Sequence, residues 1–167
     1  MTEEVRVVEH DRQWSRLFVE LSERVTAALG ELALRVEHVG STSVPGLAAK
    51  PVVDLDVVIP SRGDLPEAIH RLQALGYEHL GDLGITGREA FRRPPDTPRH
   101  NLYICARDSE ELARHVRFRD YLRANATEAE RYAALKRNLA ELHRFDIDAY
   151  CDAKTGFIES ALSAAAP

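Results

Sequence analysis

The apolar positions change period several times along the chain, and each change marks an expected element. Residues 5–9 (VRVVE) alternate as a short strand does, and Trp14, Leu17, Phe18, Leu21, Val25 and Leu29 then recur at helical spacing as far as Gly30. Trp14 falls on the apolar stripe and is expected in the core. Residues 32–39 alternate again, and 51–59 (PVVDLDVVI) form a β-branched run with proline at its first position, where a strand tolerates one. Asp64 and Glu67 suggest a capping-box start for a helix that carries Leu65, Ile69, Leu72 and Leu75 on one face and stops at Gly76. Short strands are expected at 77–80, 88–92 and 100–105, with the turn-rich RPPDTPR before the last. From Ser109 the period is helical: 110–124, then 128–144 behind a Thr127/Glu130 box, then 146–163 opened near Asp146. The pattern predicts an α/β half over 1–107 and a helical half over 108–167 of one compact unit, with Tyr121, Tyr132 and Tyr150 in the core or between helices.

Composition narrows the picture modestly. A chain of 167 residues, 44% hydrophobic and 29% charged, can bury a core of its own. No apolar run approaches the roughly 20 residues of a membrane span, and the acidic start MTEEVRVVEHDRQW lacks the apolar stretch of a signal peptide, so a cytoplasmic protein is expected. A net charge of −5 argues against sequence-independent binding to nucleic acid. Cys105 and Cys151 have no metal-like spacing and read as buried free thiols. Basic character is nearly all arginine, and the three lysines are Lys50, Lys136 and Lys154. Lysine kept in so arginine-rich a chain hints at places where a compact ammonium is needed.

The candidate chemistry lies in HVGSTSVPGLAAKPVVDLDVVIP, from His38 to Pro60. Alternation on a strand points Asp54 and Asp56 to the same face. Two carboxylates so close repel unless a cation lies between them, and oxygen-only ligands suit Mg²⁺. Equally open is the plainer reading that the face is solvated and the acids keep the strand soluble. The preceding loop resembles a phosphate cradle, with Gly40 permitting close backbone approach and Ser41, Thr42 and Ser43 offering hydroxyls beside amide groups. It is neither a Walker A loop nor G-x-G-x-x-G. A helical turn is expected around Leu47–Lys50.

A Gly-Ser turn followed by a D-x-D strand resembles the nucleotidyltransferase superfamily, and the wider wording resembles the GrpB family. The matching segments are HVGSTSVPGLAAKPVVDLDV, GREAFRR at 87–93, HNLYIC at 100–105, FRDYLRAN at 118–125, YAALKRNLA at 132–140, and Tyr150, Lys154, Phe157 and Ile158. The resemblance implies an α+β (α/β-like) fold: a nucleotidyltransferase-like mixed sheet with packed helices and a C-terminal helical segment. It implies a nucleoside triphosphate partner, Mg²⁺ (or Mn²⁺), and transfer of a nucleotidyl group to a small-molecule or protein hydroxyl; the negative charge and the lack of a long apolar run leave no nucleic acid or membrane partner expected. Gly40 and Ser41 would take the phosphate-loop role and Asp54 and Asp56 the catalytic metal role. The third carboxylate usual in that superfamily is missing, since HNLYIC presents Asn101 and Tyr103; Glu89 is the nearest substitute. The alternative is a non-catalytic nucleotide-binding or coenzyme-A-associated module, and a third is a purely structural interaction domain.

Other candidates carry a bland reading beside the sharp one. Arg88, Arg92, Arg93 and Arg99 form either a solvated hairpin or a phosphate clamp, with Arg92 the candidate for the site. Lys50, Lys136 and Lys154 are candidate phosphate ligands, or surface lysines. His38 and His100 read as hydrogen-bonded structural residues, with contact to phosphate or metal as the alternative.

Overall fold

The computed structural model describes residues 2–165. Its strands β1 (Arg35–Val39), β2 (Val53–Ile59), β3 (Glu78–Gly81), β4 (Glu89–Arg92) and β5 (His100–Ala106) form one mixed sheet in the order β1-β2-β5-β4-β3. The central strands β2 and β5 run parallel, and the other pairs run antiparallel. A parallel pair needs a long crossover, which is supplied by α2 (Leu65–Ala74) and the β3–β4 hairpin.

Strand period decides what each face carries. Val57 and Ile59 of β2 point, with Phe91, Leu102 and Ile104, toward Val25 and Leu29 of α1 (Gln13–Leu29) and Ala68 and Leu72 of α2, closing the main core. Asp54, Asp56 and Val58 point the other way. There Val58 and Cys105 pack on Leu112 of α3 (Glu110–Ala124), and α4 (Ala126–Leu142) and α5 (Ile147–Ala164) complete a helical layer. Val44, Leu47 and Ala48 of the loop between β1 and β2 pack with Leu122, Tyr132 and Ala133, so the loop is seated on that layer. The fold is α+β, a mixed sheet covered by helices on both faces. Among the described residues no helix is long and apolar enough to cross a membrane.

Several local expectations are corrected. Residues 5–9 are not a strand of the sheet; they make one bridge, Val8 to Ala49, and the Val5 amide donates to the Arg144 carbonyl (2.8 Å). Gly30 (φ 57°) opens a 3-10 turn over Gly30–Leu32, which delays β1 to Arg35. The helical turn of the loop is at Ser41–Ser43, not Leu47–Lys50. It ends there because Val44 turns extended, Pro45 has no amide to continue the turn, and Ser43 Oγ is spent on the Gly40 carbonyl (2.5 Å). The capping box is Ser61/Asp64, on the 3-10 turn before α2, while Glu67 pairs with Arg71 (2.7 Å). The Thr127/Glu130 box is also misplaced, since α4 already begins at Ala126. Asp146 caps α5 as expected, accepting from the Ala149 amide at 3.0 Å.

Candidate functional site

Where β2 and β5 leave the helical layer, a cleft of about 280 Å³ opens between the sheet, the loop and helices α3 to α5. Its floor is Asp54, Asn101 and Tyr103, its rim Gly40, Ser41 and Thr42, and its helical wall carries Tyr132, Lys136, Tyr150, Lys154 and Cys151, a thiol that is exposed rather than buried as expected. Lys50, Arg88 and His115 also face it.

The two aspartates are held differently. Asp54 is half-buried and accepts from Asn101 Nδ2 at 2.8 Å across the parallel pair. Burial raises its carboxyl from 3.8 to about 6; the Asn101 hydrogen bond offsets part of this and the charge of Asp56 adds to it. Asp56 is fully buried, and its Oδ2 accepts from His115 Nδ1 at 2.6 Å. His115 Nε2 faces Glu111 Oε1 at 3.1 Å, so both ring nitrogens meet carboxylate oxygens, which only accept. Burial pulls the imidazole pKa down, but Asp56 and Glu111 outweigh it and the ring titrates above its ordinary range. Asp56 Oδ1 remains buried with no hydrogen-bond partner.

Asp54 also explains the glycine before the serines. Gly40 has φ 73°, and a Cβ there would lie 2.2 Å from Asp54 Oδ2, so the backbone approach excludes any side chain. The loop is pinned from the helical layer. Arg123 of α3 donates twice to the Ser43 carbonyl (3.0 and 2.8 Å), Arg119 donates to Glu37 (2.7 Å) and the His38 carbonyl (3.1 Å), and Lys136 of α4 donates to the Ala48 carbonyl. Thr42 Oγ1 shares a hydrogen bond with His38 Nε2 (2.9 Å). With Thr42 and Ser43 engaged inside the loop, Ser41 is the loop hydroxyl that meets the helical wall, where it contacts Tyr132. Burial lowers His38 to about 4, helped by Arg123 and Arg119, so it holds the loop as a neutral ring.

The cations are distributed unevenly. Lys136 is 1% exposed, and burial with Lys154 nearby lowers it to about 7. Lys154 is also lowered by burial, and it sits 4.4 Å from the Tyr150 ring centroid. All three lysines of the chain therefore line one cleft.

The structure separates the other expected residues from this site. Glu89 is on the wrong face: its register partner is Ile104, it hydrogen-bonds His79 (2.6 Å), and it lines a separate cavity near Ile59 and Ser109. Arg92 is solvent-facing and paired with Glu78 (2.5 Å; side chains 64% and 60% exposed). Arg93 donates to turn carbonyls, including Thr97, and Arg99 pairs with Glu3, which leaves Arg88 as the arginine of that group in the cleft. His100 belongs to the opposite face, where Nδ1 donates to the Pro98 carbonyl (2.6 Å) and Nε2 accepts from Tyr77 (2.7 Å). His115 is the residue that sequence reasoning missed. Its one signal was Glu111 four positions earlier on a helix, and that cannot reveal a strand acid beneath.

The donor set is suited to one hard cation that keeps several waters or phosphate oxygens. Asp56 Oδ1 is a buried anionic oxygen lacking a partner, and Asp54 lies on the same face with its carboxyl raised. No cluster of three His, Cys, Asp or Glu side chains placed for a metal occurs among the described residues. Any such ion would therefore rest on two protein carboxylates.

Comparison with known proteins agrees with this architecture. A protein of Halalkalibacterium halodurans, UPF0157 protein BH1888, is 36% identical over 165 residues, covering 96% of this chain and 82% of that protein. A dephospho-CoA kinase of Mycolicibacterium paratuberculosis is 29% identical over 182 residues; the match takes in 94% of this chain but 45% of the kinase. The crystal structure of conserved protein GrpB from Enterococcus faecalis superposes with a TM-score of 0.86 at 36% identity, covering 95% and 96% of the two chains. The Cid1 poly(U) polymerase, in its MgGTP-bound structure, shares the fold at a TM-score of 0.57 and 14% identity, over 81% of this chain and 44% of that one. The model of the GrpB protein family matches residues 4–164. With its loop, its D-x-D strand and all three helices of the cleft wall inside that match, the chain belongs to the GrpB family.

Proposed function

We propose that the cleft binds a nucleoside triphosphate together with Mg²⁺ (or Mn²⁺), and that the protein transfers the nucleotidyl group to a hydroxyl of a small molecule or protein. The observation that carries this reading is Asp56 Oδ1, a buried oxygen without a partner, on the same strand face as Asp54, which itself lines the cleft with a glycine-serine loop and three lysines. A bound Mg²⁺ would rest on Asp54 and Asp56 and neutralise phosphate charge. Gly40 lets the loop backbone close on Asp54, Ser41 supplies a hydroxyl, and Lys50 and Lys154 face the tail. Lys136 fixes the Ala48 carbonyl and adds positive potential from within the wall. Transfer would form a bond from the acceptor oxygen to the α-phosphorus as the bond to the β-phosphate oxygen breaks, with pyrophosphate taking the electron pair. The hydroxyl proton would leave to water, because His115 has both nitrogens engaged and β5 presents Asn101 and Tyr103 rather than an acid.

That same replacement favours a second reading, a non-catalytic nucleotide-binding or coenzyme-A-associated module. One experiment separates the two. Thermal shift and calorimetry with ATP, GTP, CTP, UTP and coenzyme A precursors, with and without Mg²⁺, are run on the wild type and on Asp54→Asn/Asp56→Asn. A ligand at 100 times its Kd stabilises the fold by about 2.7 kcal/mol. Metal-dependent stabilisation lost in the double variant supports the site, and pyrophosphate release on adding hydroxyl acceptors supports transfer. Binding with no release across an acceptor screen favours the module, and no binding by the wild type overturns both.

A further inference from the structure

We propose that Arg88 and Tyr103 form a second anion subsite in the cleft, which receives an oxyanion, carboxylate or phosphate, carried by the acceptor. The inference rests on the reading that a nucleoside triphosphate occupies the loop side of the same cleft. The Arg88 guanidinium lies 4.3 Å from the Tyr103 ring centroid, a stacking contact that fixes its plane. Its Nε is buried and has no hydrogen-bond partner. Its neighbours Arg92 and Arg99 are committed to Glu78 and Glu3, and Arg93 to carbonyls of its own turn, so Arg88 alone of the four is oriented by an aromatic ring and left without an acceptor among the described residues. A buried donor of this kind is unfavourable unless something else supplies the acceptor, and a planar guanidinium fork matches a carboxylate or phosphate.

Position separates this arginine from the lysines. Arg88 immediately precedes β4, and β4 flanks β5 on the side away from β2. Its charge reaches Tyr103, Cys105 and His115. Lys50 stands before β2, Lys136 on α4 is bonded to the Ala48 carbonyl of the loop, and Lys154 stands on α5. The Asp54/Asp56 face lies between the two groups of cations. A triphosphate on the loop meets the lysines, and Arg88 stays available on the side from which an acceptor would approach the α-phosphate. An acceptor with a carboxylate or phosphate near its hydroxyl would be selected, and a neutral alcohol would be discriminated against.

The test follows the arginine Nε–H signals by ¹⁵N NMR in protein saturated with Mg²⁺ and whichever of ATP, GTP, CTP or UTP binds tightest. The Arg88 signal is identified by its absence from Arg88→Lys. Inorganic phosphate and succinate are then titrated as probes. The proposal expects the signal to hold still on nucleotide addition and to move saturably with one or both anions. It also expects Arg88→Gln to weaken the anion at least tenfold while nucleotide Kd stays within twofold. Tighter phosphate points to a phosphorylated acceptor and tighter succinate to a carboxylate. The proposal is overturned if the signal moves with nucleotide alone and Arg88→Gln weakens nucleotide tenfold, since Arg88 then serves the triphosphate. It is equally overturned if neither anion moves the signal. Failure of the underlying reading shows separately, as no nucleotide binding by the wild type. The same titration on nucleotide-free Lys154→Gln then decides the anion site alone: a saturable shift retains it, and silence overturns it.

Discussion

The two faces of the sheet solve opposite problems with the same strands. Toward α1 and α2, β2 and β5 present Val57, Ile59, Leu102 and Ile104, each 1% exposed or less, and that face is a dry core. Toward α3 to α5 the same strands present Asp54, Asp56, Asn101 and Tyr103, and the helices answer with His115, lysines and tyrosines. One face gains stability from burial. The other gives some up, keeping Asp56 Oδ1 unpartnered and an ammonium, Lys136, inside the wall.

That contrast can be broken first at its strongest point. Leu102→Ala opens the dry face and should cost about 3 kcal/mol, lowering Tm by roughly 6–12 °C in calorimetry, with nucleotide affinity unchanged in the folded protein. A loss of affinity as large as the loss of stability would mean that the faces are not independent. His115→Ala removes the hydrogen bond of a fully buried carboxylate and should cost about 2–3 kcal/mol by urea denaturation, the exception in which a polar pair on the cleft side holds the fold.

Asp54→Asn should act with the opposite sign. The folded carboxyl titrates near 6 against 3.8 unfolded, so the folded state holds the extra proton between those values, and stability falls as pH rises through that window. The variant should match the wild type below about pH 4. Above pH 6 it should be more stable by up to about 3 kcal/mol without ligand, yet lose Mg²⁺-dependent nucleotide stabilisation. Lys136 gives a subtler signature. Its folded value of about 7 lies below 10.5, so the unfolded state binds the extra proton and wild-type stability should rise with pH between those values. In Lys136→Met that slope should flatten in pH-dependent denaturation. Arg92→Ala, at an exposed pair, should change stability by no more than about 0.5 kcal/mol and leave binding untouched.

Elements with long, regular periods were legible from the chain. The apolar stripe of α1, the β-branched run of β2 and the span of α3 were placed within a residue or two. Residues 5–9 misled because alternation is necessary for a strand but does not supply a neighbouring edge to pair with. Glu89 misled for a related reason: alternation says that successive residues point oppositely, but register against β5 decides which parity meets the cleft; Arg92 has the cleft parity, yet its side chain turns to Glu78 on β3. Ala90 lies opposite Tyr103, which sends Glu89 to the far side.

The sequence alone determined that Asp54 and Asp56 share a face, because a strand has period two, and that a glycine-serine turn precedes them, because both are local. Tertiary structure decided the rest. It brought His115 onto Asp56 across 59 positions and Lys136 onto Ala48 across 88, and it pressed Asp54 against Gly40 so tightly that no Cβ fits. Those choices depend on packing between elements distant in the chain, where neither spacing nor propensity carries information until the helical layer has closed over the sheet.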